Sequence, residues 1–220
     1  MSGFVIAVDG PAASGKGTLA SQLAEDYGLP FLDTGLLYRA VGVGVLARGG
    51  RPDDPQAAEA VARELDASTL DPAALSGRGA GEAASQAAAH PGVRAALLAL
   101  QRAFARRPEG AVLDGRDIGT VIAPDAPAKL FVTASPEVRA ERRWRQLTAQ
   151  GDSLTLAEML EDIRRRDARD ASRASAPMAM APDAVLLDTS EMDISAAVDA
   201  ARRIVKAARA RWAGSDPARG

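Results

Sequence analysis

One stretch restricts the fold more than any other. Phe4-Val5-Ile6-Ala7-Val8, a short apolar run with β-branched residues, ends in Asp9-Gly10 and gives way to Pro11-Ala12-Ala13-Ser14-Gly15-Lys16-Gly17-Thr18. A continuous apolar run of this kind reads as a strand buried on both faces. The glycine-rich turn then opens a helical stretch from Thr18 to Tyr27, closed by Gly28. In such a strand–turn–helix the glycines let successive backbone N–H groups converge on phosphate oxygens. The helix N-terminus adds partial positive charge, and a lysine placed as Lys16 is reaches the outer phosphates of a nucleotide. The hydroxyl of Thr18 is placed to help hold a magnesium ion. Residues 10–18 are therefore expected to form a phosphate cradle.

Four further short apolar segments follow: Pro30-Phe31-Leu32, Ala111-Val112-Leu113, Leu130-Phe131-Val132 and Ala184-Val185-Leu186-Leu187. Helical stretches separate them, which implies crossover connections and a mostly parallel sheet covered on both faces, an α/β fold. Ligands bind at the carboxyl ends of the strands in such folds. Asp9, Asp33, Asp114 and Asp188, each just past a strand, are thus the positions to watch. Residues 33–110 are more than one crossover helix needs. They hold a Gly/Pro/Asp-rich stretch from Gly49 to Pro55, a helical segment to about Leu65, a weakly structured Leu70–Gly81 and an Ala-rich helix or helix pair from Glu82 to Arg106. A second, charged excursion runs from Arg139 to Arg173. The polar end from Ala213 to Gly220 is expected to fray.

Composition removes whole classes of chemistry. The 220 residues hold no cysteine and one histidine, so disulfides, thiolate metal sites and cysteine nucleophiles are excluded. His90 lies in an Ala-rich stretch before Pro91 with no evident partner, and reads as a surface residue or helix end. The chain contains no asparagine, which closes the guanine-recognising Asn-Lys-x-Asp reading of the cradle. A formal net charge of −2 argues against the basic field of a non-specific nucleic-acid binder. The apolar runs fall far short of the ~20 residues of a membrane span. No Lys or Arg precedes Lys16, so no signal peptide is read, and the chain is expected in the cytoplasm.

Of the 27 basic residues only Lys16, Lys129 and Lys206 are lysines. Arg39 and Arg116 follow the second and third strands. An arginine at a sheet's ligand edge needs an anion, and its planar fork suits phosphate; structural pairing with Asp33 and Asp114 is the alternative. Arg166, Arg169, Asp170 and Arg173 share one face of a helix, either as a binding face or as a solvated, ion-paired surface. Arg139, Arg142, Arg143 and Arg145 outweigh Glu141 and form a positive patch able to close over a triphosphate.

Val8-Asp9-Gly10-Pro11-Ala12-Ala13-Ser14-Gly15-Lys16-Gly17-Thr18, Leu32-Asp33-Thr34-Gly35 with Tyr38-Arg39, Ala84-Ser85-Gln86, Val93-Arg94, Asp114-Gly115-Arg116-Asp117-Ile118-Gly119-Thr120 and Arg166-Asp167-Ala168-Arg169-Asp170-Ala171-Ser172-Arg173 together resemble the bacterial cytidylate kinases. The resemblance runs in order from residue 4 to about 205. It implies a P-loop kinase fold: a five-stranded parallel sheet flanked by helices, with a monophosphate-binding insert and a lid. It also implies phosphorylation of CMP and dCMP by ATP with Mg2+. One domain is expected, with a core at 1–39, 107–141 and 174–212, the insert at 40–106 and the lid at 142–173, acting as a monomer without nucleic-acid or membrane partners. ATP falls on Gly10, Pro11, Ala12, Ala13, Ser14, Gly15, Lys16, Gly17 and Thr18, with Thr18 on the metal. The monophosphate falls on Thr34, Arg39, Ser85, Arg94, Arg116, Asp117, Arg166, Asp170 and Arg173. Within that set Ser85, Arg94, Asp117 and Arg173 take the cytosine, Asp170 with Arg166 the sugar, and Arg39 with Arg116 the phosphate. Lys16, Arg142 and Arg169 are expected to stabilise the transferring phosphoryl, and Asp114 or Asp33 to orient magnesium-bound water. Two departures stand out. Thr34 occupies a position where the family commonly has serine, and where the family's insert usually carries a small extra sheet and an Ile-Arg-Thr segment before Ala-Ser, Ser76 to Glu82 is short and Gly/Ala-rich. The competing readings are a kinase of the same architecture for another small acceptor, such as shikimate or dephospho-coenzyme A, and a non-catalytic nucleotide- or RNA-binding protein.

Overall fold

The computed structural model describes residues 3–214. The Phe4–Val8 run becomes strand β1 (Val5–Asp9), in which every residue is buried. It lies at the centre of a five-stranded sheet of order β2-β3-β1-β4-β5, with β2 (Phe31–Asp33), β3 (Ala111–Gly115), β4 (Ala128–Thr133) and β5 (Val185–Asp188) all parallel to their neighbours. The expected parallel α/β sheet is present, and β3 runs two residues further than its apolar core, to Gly115. The register sets Asp33 beside Asp114 and Asp9 beside Gly115, so the strand ends form one edge. One sheet face packs on helices α1 (Lys16–Tyr27) and α8 (Ile194–Gly214), through Leu19, Leu23, Ala201 and Val205. The other is covered by Ala105, Ile118 and Ile122.

Between β2 and β3 lie α2 (Thr34–Ala47), α3 (Pro55–Glu64), α4 (Arg78–Ala87) and α5 (Pro91–Ala105), with a core of their own around Leu37, Val41, Val61 and Leu97. The Ala-rich stretch from Glu82 is a helix pair. Pro91 takes the first turn of α5, where its missing N–H costs nothing, and His90 ends the break, its Nε2 3.1 Å from the Pro52 carbonyl. Helix α4 begins at Arg78, inside the segment expected to be weakly structured, and among the described residues the only sheet is the five-stranded one. The α6 (Pro136–Ala149) and α7 (Leu156–Ala171) hairpin follows β4; a Thr155–Glu158 capping box starts α7. Of the segment expected to fray, Ala213 and Gly214 end α8 and 215–220 lie outside the described residues. Among the described residues no helix is long and apolar enough to cross a membrane.

Helices α2 and α4 approach backbone to backbone at Gly42, where a Cβ would stand 2.5 Å from the Ala83 carbonyl carbon and 2.7 Å from its oxygen. Gly42→Ala should therefore lower stability by about 1–3 kcal/mol in thermal unfolding, the overpacking cost exceeding the gain in helix propensity. An unchanged Tm would show that the two helices separate freely.

Candidate active site

The turn after β1 passes through three positive-φ backbone conformations. Gly10 has φ 146°, Ala13 φ 59° and Gly15 φ 89°. A Cβ on Gly10 would lie 1.9 Å from the Val132 carbonyl oxygen, so only glycine lets the loop leave the sheet here. The first turn of α1 has no side-chain cap, which leaves its N–H groups free for an anion. Lys16 heads that helix with Nζ 3.5 Å from Asp114 Oδ1. Burial and, secondarily, the nearby Arg116 lower its pKa to about 8 against the pull of Asp114 and Asp33. Burial likewise raises the Asp114 carboxyl.

The cradle forms one wall of a cleft of about 1120 Å³. Asp33, Arg39, Asp114 and Arg116 come from the strand ends and α2, Arg142 and Arg143 from α6, and Arg166 from α7. Arg39 pairs with Asp33 at 2.5 Å, and Arg116 Nε donates to Asp170 Oδ2 at 3.0 Å. Arg166 differs. Its buried Nε has no hydrogen-bond partner, and burial, followed by the neighbouring Arg116, brings its guanidinium down to about 10. A buried cation held short of partners is a receptor for an anion. Arg142 donates to Thr189 O at 2.7 Å and Thr189 Oγ1 at 3.0 Å, fixed beside the Ser14 carbonyl. The cleft thus offers main-chain amides and Lys16 on one side and guanidinium groups on the other.

A family profile described as Cytidylate kinase matches residues 6–207. The chain is 70% identical over 209 residues to the protein named Cytidylate kinase of Caulobacter sp. strain K31, covering 95% of this chain and 97% of that protein. It is 65% identical to the one of the same name in Xanthobacter autotrophicus, covering 94% and 99%. The chain belongs to the cytidylate kinase family. Among solved structures, an uncharacterised protein from Eubacterium ventriosum shares the fold with a TM-score of 0.56 at 14% identity, covering 92% of this chain and 98% of that one.

Of the residues that resemblance to cytidylate kinases singled out, Ala12 to Thr18, Arg39, Arg116, Arg142 and Arg166 line the cleft. Gly10 and Pro11 are buried at the base of the loop. A second group is buried next to the cleft and linked internally. Arg94 ion-pairs with Asp117 while stacking on Tyr38 at 5.4 Å, and Arg173 pairs with Asp170. Thr34 Oγ1 donates to the Asp114 carbonyl at 2.7 Å. Arg169 does not itself line the cleft: it reaches α4, donating to Ser85 Oγ and to Oε1 of the cleft-lining Glu82, each at 2.8 Å. The arginine patch on α6 also divides. Arg139 is buried, with its guanidinium on Asp167 and on the Ala12 and Ala134 carbonyls, whereas Arg145 pairs with Glu141 outside. Of the four strand-end aspartates, Asp33 and Asp114 line the cleft and Asp9 and Asp188 do not. Thr189 and the 192–195 segment, which wall the cleft beside the cradle, carried no motif; the strand-end rule pointed one residue short, at Asp188.

Proposed function

We propose that the protein transfers the γ-phosphoryl group of ATP to CMP and dCMP, giving CDP and dCDP. The single observation that carries this reading, beyond family membership, is the pairing in one cleft of an uncapped helix N-terminus bearing Lys16 with the Arg39, Arg116 and Arg166 guanidiniums. One anion receptor suits a triphosphate, the other a monophosphate. The acceptor oxygen is already anionic, so no general base is required. Catalysis then rests on alignment and charge stabilisation. Lys16 and the cradle amides hold the donor phosphates, Arg142 closes on them from α6, and Arg166 neutralises charge between donor and acceptor. Residues 40–106 act as the acceptor-binding insert and 142–173 as the lid, with Arg169 holding lid to insert through Ser85 and Glu82. Arg94, Asp117, Ser85 and Arg173 read the cytosine, exchanging their present partners for the base.

The donors present fit magnesium: Thr18 faces the cleft, and buried Asp114 Oδ1 has no hydrogen-bond partner, only the Lys16 ammonium 3.5 Å away. The ion would be held by Thr18 and, through water, by Asp114 or Asp33. Bound with ATP it spreads the charge of the β and γ phosphates. The reaction is expected to run in the cytoplasm.

A coupled ADP-release assay with CMP, dCMP, UMP, AMP and shikimate, with Lys16→Ala alongside, tests the assignment. CMP and dCMP should far exceed the others. Equal rates with UMP would remove the cytosine assignment, and salt-sensitive RNA binding without ADP release would favour a non-catalytic binder. The pH profile has a definite sign. In the free enzyme Lys16 loses its proton as pH rises through about 8, so kcat/KM for ATP should fall above that pH. With the triphosphate bound, the same proton is held more tightly, and the alkaline limb of kcat should lie higher. The unfolded chain keeps this proton to about 10.5, so the ligand-free fold should gain stability as pH rises between the two values.

A further inference from the structure

Asp9 closes β1 one residue before the cradle, yet its carboxylate takes no part in the cleft wall. It is 4% exposed, and its two oxygens each accept one backbone amide: Oδ1 from Ile118 at 2.8 Å and Oδ2 from Gly119 at 2.7 Å. Those are the first two amides of the wide helical turn Ile118–Ile122, which is closed by bonds from Val121 and Ile122 N–H to the Asp117 carbonyl and from Ala123 N–H to the Ile118 carbonyl. Arg116 and Asp117 directly precede the two captured amides. One carboxylate is therefore joined covalently to the donor cradle and by two hydrogen bonds to the turn that presents Arg116 to the cleft.

We propose that Asp9 is a positioning residue that fixes the Arg116–Asp117 turn relative to the phosphate cradle, and so sets the alignment of acceptor against donor. The inference rests on the reading of the cleft as a two-nucleotide site. Only a carboxylate supplies an acceptor to each amide. An asparagine of the same shape turns its own NH2 toward one N–H and leaves a buried donor unmade. The fit leaves little slack: a Cβ on Gly119 would lie 3.3 Å from Asp9 Oδ2 and 3.2 Å from Lys129 Cδ. Neither Asp9 nor Gly119 lines the cleft.

Asp9→Asn and Gly119→Ala are compared with the wild type at pH 8 by steady-state kinetics and by calorimetric binding of ADP and CMP separately. Asp9→Asn should lower kcat and raise KM for CMP, with a combined loss of roughly tenfold to a hundredfold in kcat/KM for CMP, as for one hydrogen bond to a charged group. Affinity for ADP should stay within about twofold of wild type, and Gly119→Ala should show the same split in weaker form. Unchanged CMP constants in Asp9→Asn, or ADP affinity lost in step with CMP affinity, would overturn the proposal. If Asp9→Asn does not fold, Gly119→Ala decides by the same split. A wild type that binds both nucleotides without turnover would remove the transfer reaction and leave the strut to be judged on the two affinities.

Discussion

Lys16→Met is expected to reduce kcat/KM for ATP by roughly 10²–10³, the loss seen when one preorganised donor is taken from a developing charge. The same substitution should leave Tm within a few degrees. Methionine keeps a buried stem of similar length, and the cation itself contributes little to the fold: burial already lowers its pKa to about 8, which means its charged form is costly there. Its partner Asp114 is buried, and burial raises its carboxyl pKa; losing the Lys16 charge raises it further, which lowers the cost of leaving that carboxyl unpaired. The split between activity and stability is the diagnostic. A variant that melts far below the wild type would make Lys16 a structural residue, and one that retains ADP release would remove it from the reaction. Lys16→Arg should also fail, because a planar fork does not replace the compact ammonium at the head of α1.

What could be read from the sequence is what lies close together along it. The cradle is contiguous with its strand, so Val5 to Thr18 carry strand, turn and helix start in one segment, and the buried β1 and the start of α1 follow from residue types alone. The parallel sheet was legible for the same reason, since each strand is a short apolar run between helices. The break of the Ala-rich stretch at His90-Pro91 was marked by proline, although one helix or two was left open. The N-terminus of α4 was not legible. Gly77, Gly79 and Gly81 argue locally against a helix, and Gly42 reveals why it forms: α4 is held flat against α2, contact that no local propensity encodes. The arginines show the same limit. Arg139 and Arg142 stand one turn apart on α6, but Asp167 on α7 captures the first, while Thr189 past β5 turns the second to the cleft. Arg166 and Arg169 divide likewise between cleft and α4. Sequence identified the guanidiniums; which carboxylate faces each is a tertiary fact.

The Arg94–Asp117 pair gives the other large effect, and separates folding from recognition. Both side chains are nearly excluded from solvent, at 7% and 5% exposure, and the guanidinium also lies 5.4 Å over the Tyr38 ring. Arg94→Leu leaves a buried carboxylate without its counter-ion and should cost about 3–5 kcal/mol of stability, or roughly 6–20 °C in Tm at this chain length. Replacing both partners, Arg94→Leu with Asp117→Leu, removes the stranded charge and should recover much of that loss, because a packed apolar pair avoids the desolvation of two ions. Recognition should not recover with it. If these two groups exchange each other for the base, the double variant folds, binds ADP in the cradle as the wild type does, and still loses more than tenfold in kcat/KM for CMP. Denaturant melts of the three proteins beside ADP-release kinetics read the two effects independently. A double variant with wild-type CMP kinetics would make the pair a purely structural bridge between α5 and the turn after β3, and the selection of cytosine would have to come from Ser85 and Arg173.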